Sequence, residues 1–172
     1  MTIDIPGVVV SQRRTWPDQR GDFLELFRSD EYPEQFVQFN HSFSRANVLR
    51  GLHYQIRQPQ GKLVRAIRGE IFDVAVDIRK SSPSFGKSIH VALSADNRKM
   101  LWVPAGFAHG FLVVSESAEV LYKTTDFYAP EHERTLLWND PQLAIPWPGA
   151  ARPVLSEKDL RGLPLHRAEL FD

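Results

Sequence analysis

Ile71-Phe72-Asp73-Val74-Ala75-Val76-Asp77-Ile78-Arg79 alternates cleanly, with Phe72, Val74, Val76 and Ile78 on one face and Asp73, Ala75, Asp77 and Arg79 on the other. A period of two is the signature of a β-strand. Arg68-Gly69 before it and Ser81-Ser82-Pro83-Ser84 after it supply the turn residues that bound such a strand. The two aspartates on one face admit two readings: a catalytic pair, or an Asp–Arg ladder on an exposed face. Outward from this stretch the same pattern recurs. Lys62 to Ile67, Ser88 to Leu93, Met100 to Pro104, Gly110 to Val114 and Ala118 to Thr124 are short apolar-rich runs separated by turns. Earlier, Gln38, Asn40, Ser42 and Ser44 share one face of a run whose other face carries Val37, Phe39 and Phe43. A face made of amides and hydroxyls lines a wet cavity or meets solvent directly. Twelve prolines and ten glycines punctuate these runs, and no helical period intervenes. The expected fold class is therefore all-β, an antiparallel barrel or sandwich.

The bulk numbers narrow the function classes. A chain of 172 residues is one domain with a sizeable core. Its 21 basic and 21 acidic residues cancel, without a block of one sign, so no nucleic-acid tail and no polybasic membrane anchor is expected. Zero cysteines exclude a disulfide framework, a thiolate nucleophile and a Cys-based zinc site. Met1-Thr2-Ile3-Asp4-Ile5-Pro6 lacks a basic segment followed by an apolar one, and no apolar run reaches membrane-spanning length. The expected setting is cytoplasmic.

Chemistry concentrates in Val48-Leu49-Arg50-Gly51-Leu52-His53-Tyr54-Gln55. A guanidinium stays charged at any working pH and forks onto phosphate or carboxylate oxygens, whereas an imidazole takes and returns a proton near neutrality. Arg50 and His53 differ by three positions, so in a regular strand they would point to opposite faces. Gly51 between them suggests a bulge that re-aims one of the two. Further on, Pro104-Ala105-Gly106-Phe107-Ala108-His109-Gly110-Phe111 holds a second histidine, and Tyr122 and Tyr128 have the same parity. In the tail, Ser156 with Asp159 three residues on reads as a helix start in which Asp159 stabilises its own first turn.

Together these motifs resemble the dTDP-4-dehydrorhamnose 3,5-epimerase family, cofactor-free cupins that act on a 4-keto-6-deoxy sugar nucleotide. The resemblance runs from about Gly7 to Asp159. It is carried by Arg20-Gly21-Asp22-Phe23-Leu24-Glu25, Gln38-Phe39-Asn40-His41-Ser42, Leu49 to Gln55, Gln60-Gly61-Lys62-Leu63-Val64-Arg65, Asp73 to Arg79, Pro104 to Phe111, Tyr122-Lys123, Trp138-Asn139-Asp140 and Leu155-Ser156-Glu157-Lys158-Asp159. It implies a cupin double-stranded β-helix (jelly-roll) barrel over about 20–150 with a short helical appendage over about 151–172, in a single domain. It also implies a homodimer with N-terminal strand exchange and no cofactor. By the same resemblance His53 is the general base, Tyr122 the acid on the opposite face, Lys62 the stabiliser of the enolate oxygen, and Asp159 the carboxylate that orients His53. Arg20, Glu25, Gln38, Asn40, Arg50, His109, Glu133 and Lys158 are implied as contacts to a dTDP-sugar, with Tyr128 stacking near its base or sugar.

That set matches what the chemistry needs. Inverting a carbon next to a ketone takes a base on one face, an acid on the other and a donor for the transient enolate. Metal-binding cupins carry a His-x-His pair, but here the pair reads His53-Tyr54-Gln55, and one histidine from each motif makes a poor divalent site. The expectation is a metal-free acid/base enzyme. Two alternatives stand beside it: a mono-epimerase inverting C3 or C5 alone, and a non-catalytic sugar-nucleotide-binding cupin. Gln19, where an acidic residue often precedes the Arg-Gly pair, and a short Gln58-Pro59-Gln60 loop depart from the family without touching an assigned role.

Overall fold

The computed structural model describes residues 5–149 and 152–172. Met1 to Asp4, read above for a leader, and residues 150 and 151, at the expected join of barrel and appendage, lie outside them. Two five-stranded antiparallel sheets form the body. The first runs β1 (Val9–Gln12), β9 (Lys99–Val103), β6 (Lys62–Arg68), β11 (Ser117–Thr124), β4 (Gln38–Arg45). The second runs β12 (Glu133–Thr135), β5 (Leu49–Gln55), β10 (Phe107–Val113), β7 (Glu70–Asp77), β8 (Ser88–Ser94). A hairpin of β2 (Thr15–Asp18) and β3 (Gly21–Leu24) stands apart from both. This is the jelly-roll arrangement of a cupin barrel. Its first sheet starts at Val9, well ahead of the expected start near 20.

The sheets face each other across a core to which Val64, Ala66, Leu101 and Val120 contribute from one side and Ile71, Ala75, Phe107 and Val113 from the other. Strand β7 lies inside the second sheet and both its faces are covered. Ile71 and Ala75 enter the inter-sheet core, while Val74, Val76 and Ile78 enter a second core on the back of the sheet. The ladder of Asp73 and Asp77 on an exposed face is thereby overturned, since both carboxylates are fully buried. Asp77 does pair with Arg79, at 2.7 Å, and it also accepts hydrogen bonds from the hydroxyls of Ser82 and Ser84 at 2.6 Å, which ties down the following loop. Burial opposes its ionisation, but these donors outweigh it and hold the carboxyl at about 2.

The back of the second sheet is covered by the chain's own tail. Leu136, Leu143 and Leu165 are buried there, with Trp147, Leu170 and Phe171 packed alongside. Each fully buried leucine of this kind contributes roughly 1.5–3 kcal/mol. Bridges from Val48 to Val154, Leu136 to Leu163 and Arg79 to Phe171 fix the course of the segment. The expected helix is a single turn, α1 (Glu157–Leu160), with Ser156 as its N-cap accepting from the Asp159 N–H.

The first sheet is covered less completely on its outer side. Phe27, Tyr32 and Phe36 pack on Leu63, Met100 and Trp102. On β4, however, the face carrying Phe39 and Phe43 is open, with the two rings 60% and 51% exposed, and on the hairpin Phe23 is 67% exposed. The opposite face of β4, with its amides and hydroxyls, is the one that turns inward.

Candidate active site

Between the sheets lies an open cavity of about 350 Å³, and strand β5 brings the central motif to it. On the neighbouring strand, His109 pairs with His53 and Phe111 with Arg50, so two steps along β10 match three along β5. The extra residue is a bulge. Gly51 sits in it at φ +125°, and a Cβ there would lie 2.6 Å from Gly110 Cα, so only glycine fits. The Gly51–Leu52 peptide bond is cis. Leu52 is driven into the rear core, and Arg50 and His53 both face the cavity despite their odd spacing. Arg50 donates to Ser44 Oγ at 2.9 Å and to the Phe43 carbonyl at 3.2 Å, which fixes its guanidinium against β4.

Behind His53 stands Asp159. Its Oδ1 lies 2.5 Å from His53 Nε2, and its Oδ2 accepts from the Ser156 hydroxyl at 2.7 Å. The two readings of Asp159 therefore coexist: its backbone N–H is capped by Ser156 while its carboxylate holds the imidazole. With Nε2–H committed to Asp159, Nδ1 is left as the basic nitrogen. Burial pushes the imidazole below the usual histidine range, against the pull of Asp159, so the ring is neutral near pH 7. Burial also opposes ionisation of Asp159, but its hydrogen bonds from His53, Ser156 and the Gly51 N–H outweigh it and keep the carboxyl below its ordinary value.

The facing wall comes from the first sheet. Gln38, Asn40 and Ser42 line it from β4, Lys62 and Val64 from β6, and Val120, Tyr122 and Thr124 from β11. Lys62 Nζ donates to the His53 carbonyl at 3.3 Å, and burial lowers its ammonium to about 8, with Glu133 and Asp73 pulling the other way. Burial raises the Tyr122 phenol above its ordinary value, partly offset by Arg50, so it stays protonated and able to donate. At the mouth, Glu133 on β12 accepts from Lys158 at 2.7 Å and from the Tyr128 hydroxyl at 2.9 Å. These bonds outweigh burial and hold its carboxyl low. Tyr128 is 52% exposed, so its ring is available to a flat partner. In sum, a paired imidazole on one sheet faces a phenol and an ammonium on the other, which is the equipment for moving protons at carbons beside a carbonyl.

Comparison with known proteins gives the family. The sequence model described as dTDP-4-dehydrorhamnose 3,5-epimerase matches residues 2–167. A relative of that description from Pseudomonas aeruginosa is 56% identical, over 97% of this chain and 96% of its own length. The chain belongs to the dTDP-4-dehydrorhamnose 3,5-epimerase family. Among solved members, the epimerase from Legionella pneumophila, crystallised with dTDP-4-keto-L-rhamnose, superposes with a TM-score of 0.94 at 44% identity, covering 98% of this chain and 93% of the other. A 3'-monoepimerase from Streptomyces bikiniensis, in complex with dTDP-quinovose, gives 0.89 at 31% identity, covering 96% and 87%.

Of the residues expected at the site of this epimerase-family chain, Gln38, Asn40, Arg50, His53, Lys62, His109, Tyr122, Tyr128, Glu133 and Lys158 line one cavity, with Asp159 directly behind His53. Arg20 and Glu25 do not join them. Arg20 occupies the turn between β2 and β3, exposed and paired with Asp18 at 2.6 Å, and Glu25 is exposed just past β3. Asp73, read from the sequence as one of a catalytic pair with Asp77 or as part of a ladder, has a partner that sequence reasoning missed: fully buried, it lies 2.8 Å from His109 Nε2. Alternation gave no signal for it, because Asp73 shares its face with Asp77 and Arg79 and the pattern does not report that this face is also covered. Gln55, where a metal-binding cupin has its second histidine, is turned to another task. Its amide donates to the Gln58 and Phe127 carbonyls and accepts from the Ala129 N–H, pinning the loop that carries Tyr128. Among the described residues no three His, Asp or Glu side chains group as a metal site would need, and no helix is long and apolar enough to cross a membrane.

Proposed function

We propose that the protein epimerises dTDP-4-dehydro-6-deoxy-D-glucose at C3 and C5 to give dTDP-4-dehydro-L-rhamnose, with His53 as base and Tyr122 as acid. The observation that carries the mechanism is the placement of the Asp159-held imidazole and the Tyr122 phenol on opposite sheets of one cavity. C3 and C5 both flank the C4 ketone, so one enolate donor serves both. His53 Nδ1 takes the proton from the substrate carbon, and Asp159 stabilises the imidazolium that forms. The electron pair moves onto the ketone oxygen, where the Lys62 ammonium donates to it; a donor of this kind is worth about 3 kcal/mol. Tyr122 then delivers a proton to the same carbon from the other side. Exchange with solvent returns Tyr122 to the phenol and His53 to the neutral ring. In a globally neutral protein, Arg50 and Lys158 supply local positive charge for the diphosphate of the substrate.

Arg20 and Glu25 fit this reading if the protein is a homodimer whose N-terminal hairpins cross over, so that each pair reaches the partner's cavity. The open apolar faces of β4 and the hairpin support that arrangement. A C3-only reaction is the second reading, supported by the likeness to the 3'-monoepimerase. Incubation with the 4-keto-6-deoxy sugar nucleotide in D2O, followed by NMR, separates the readings. Deuterium entering at C3 and C5 without added metal is expected, entry at C3 alone would establish the mono-epimerase, and no entry would sink the catalytic reading. His53→Asn is expected to abolish exchange while retaining dTDP binding. Tyr122→Phe should still exchange but fail to invert.

A further inference from the structure

The cavity holds a second imidazole–carboxylate pair that the proposed mechanism does not use. His109 on β10 is the cross-strand neighbour of His53, and its Nε2 lies 2.8 Å from Asp73 Oδ1 on β7. Asp73 is fully buried, and its Oδ2 has no hydrogen-bond partner among the described residues. A half-satisfied buried carboxylate is a poor stabilising device, because its desolvation exceeds what one hydrogen bond returns. His109 lines the cavity, and no protein group among the described residues bonds its Nδ1. We propose that Asp73 is a positioning residue for the epimerisation, holding His109 as the Nε2–H tautomer so that its Nδ1 accepts a hydrogen bond from a hydroxyl of the hexose.

The logic is that of any imidazole backed by a carboxylate: an acceptor-only partner fixes which nitrogen carries the proton and therefore what the far nitrogen offers. Asparagine in place of Asp73 keeps the shape but can turn its NH2 toward Nε2, which would make Nδ1 a donor. His109 is 9% exposed whereas Tyr128 at the mouth is 52% exposed, so the pair addresses the deep end of the cavity and not the nucleotide end. The Asp73 charge has a second reach. The charged and titratable groups around the Lys62 ammonium are Asp73 from β7, Glu133 from β12, His53 from β5 and Lys158 from α1; Glu133 and Asp73 favour the charged amine against its burial, and Lys158 opposes it.

The proposal rests on the epimerase reading, so its test includes a measurement that does not. Nitrogen-15 NMR of the histidine rings in the unliganded protein is expected to show His109 protonated at Nε2 and bare at Nδ1; the opposite tautomer would overturn the proposal whatever the activity. Kinetically, Asp73→Asn should lower kcat/KM by roughly tenfold to a hundredfold, leave dTDP affinity within about twofold, and move the alkaline limb of the pH profile downward. Assayed on the plateau below the alkaline limb, where Lys62 keeps its proton in either background, the double variant D73N/H109A should be no worse than H109A alone. Multiplying effects in the double variant, or a parallel loss of dTDP affinity and of melting temperature, would make Asp73 a purely structural residue. If the wild-type protein itself incorporates no deuterium, the epimerase reading fails, while the tautomer measurement still decides the Asp73–His109 relation.

Discussion

His53 and Lys62 must be in opposite protonation states for the proposed reaction, the imidazole neutral and the ammonium charged. Burial shifts both downward, His53 below its ordinary value near 6.5 and Lys62 to about 8. The signs give a bell. Activity falls on the acid side as His53 protonates, below the range of an ordinary histidine, and on the alkaline side as Lys62 loses its proton near pH 8. Measuring kcat/KM against pH checks both limbs, and Lys62→Arg should remove the alkaline limb while lowering the plateau, because a guanidinium does not deprotonate there. An alkaline limb that survives Lys62→Arg would assign it to another group. At this scale the family resemblance named His53, Tyr122 and Lys62 together, and the structure brings all three to one cavity. The contact of Asp73 with His109 was not legible. That contact depends on which way β7 faces, and alternation reports that a strand has two faces without reporting that both are buried.

At the scale of elements, the bulge in β5 was legible from a conflict, since Arg50 and His53 could share a cavity only if the strand broke period at Gly51. Gly51→Ala tests it. The new methyl would meet the β10 backbone at 2.6 Å in a conformation that disfavours side chains, and a loss of about 2–4 kcal/mol is expected in urea unfolding. An unchanged midpoint would mean that β5 and β10 separate at little cost. The loop after β7 makes a second case. The folded carboxyl of Asp77 sits at about 2, below its ordinary 3.8, so its contribution is complete above that ordinary value and is lost as pH falls from there toward 2. The shift corresponds to roughly 2 kcal/mol. Acid titrations of stability should show that slope in the wild-type protein and lack it in Asp77→Asn. Short edge elements were the illegible part: β12 has only three residues, too few for a period, and its Glu133 was placed through resemblance alone.

At the scale of the whole molecule, one chain leaves Arg20 and Glu25 outside the cavity and a run of apolar side chains open on β4 and the hairpin. The homodimer reading makes a quantitative prediction. Arg20→Ala and His53→Asn should each be nearly inactive, yet mixing and reassembling them should restore about a quarter of the wild-type sites, because half the random dimers are mixed and each mixed dimer rebuilds one intact cavity. No recovery, with exchange of subunits verified, would place Arg20 outside the partner's site. Such inter-chain geometry is not written in hydrophobic periodicity, which reports that a face is apolar and not what covers it. The barrel motifs, by contrast, are local and were readable. The tail adds a temporal dimension. His53 and the carboxylate that holds it are 106 residues apart, and the tail that carries Asp159 also closes the rear core with Leu165 and Phe171. During synthesis His53, Lys62 and Tyr122 therefore leave the ribosome before Asp159, and on the proposed mechanism the imidazole gains the carboxylate that holds it only once the tail has docked.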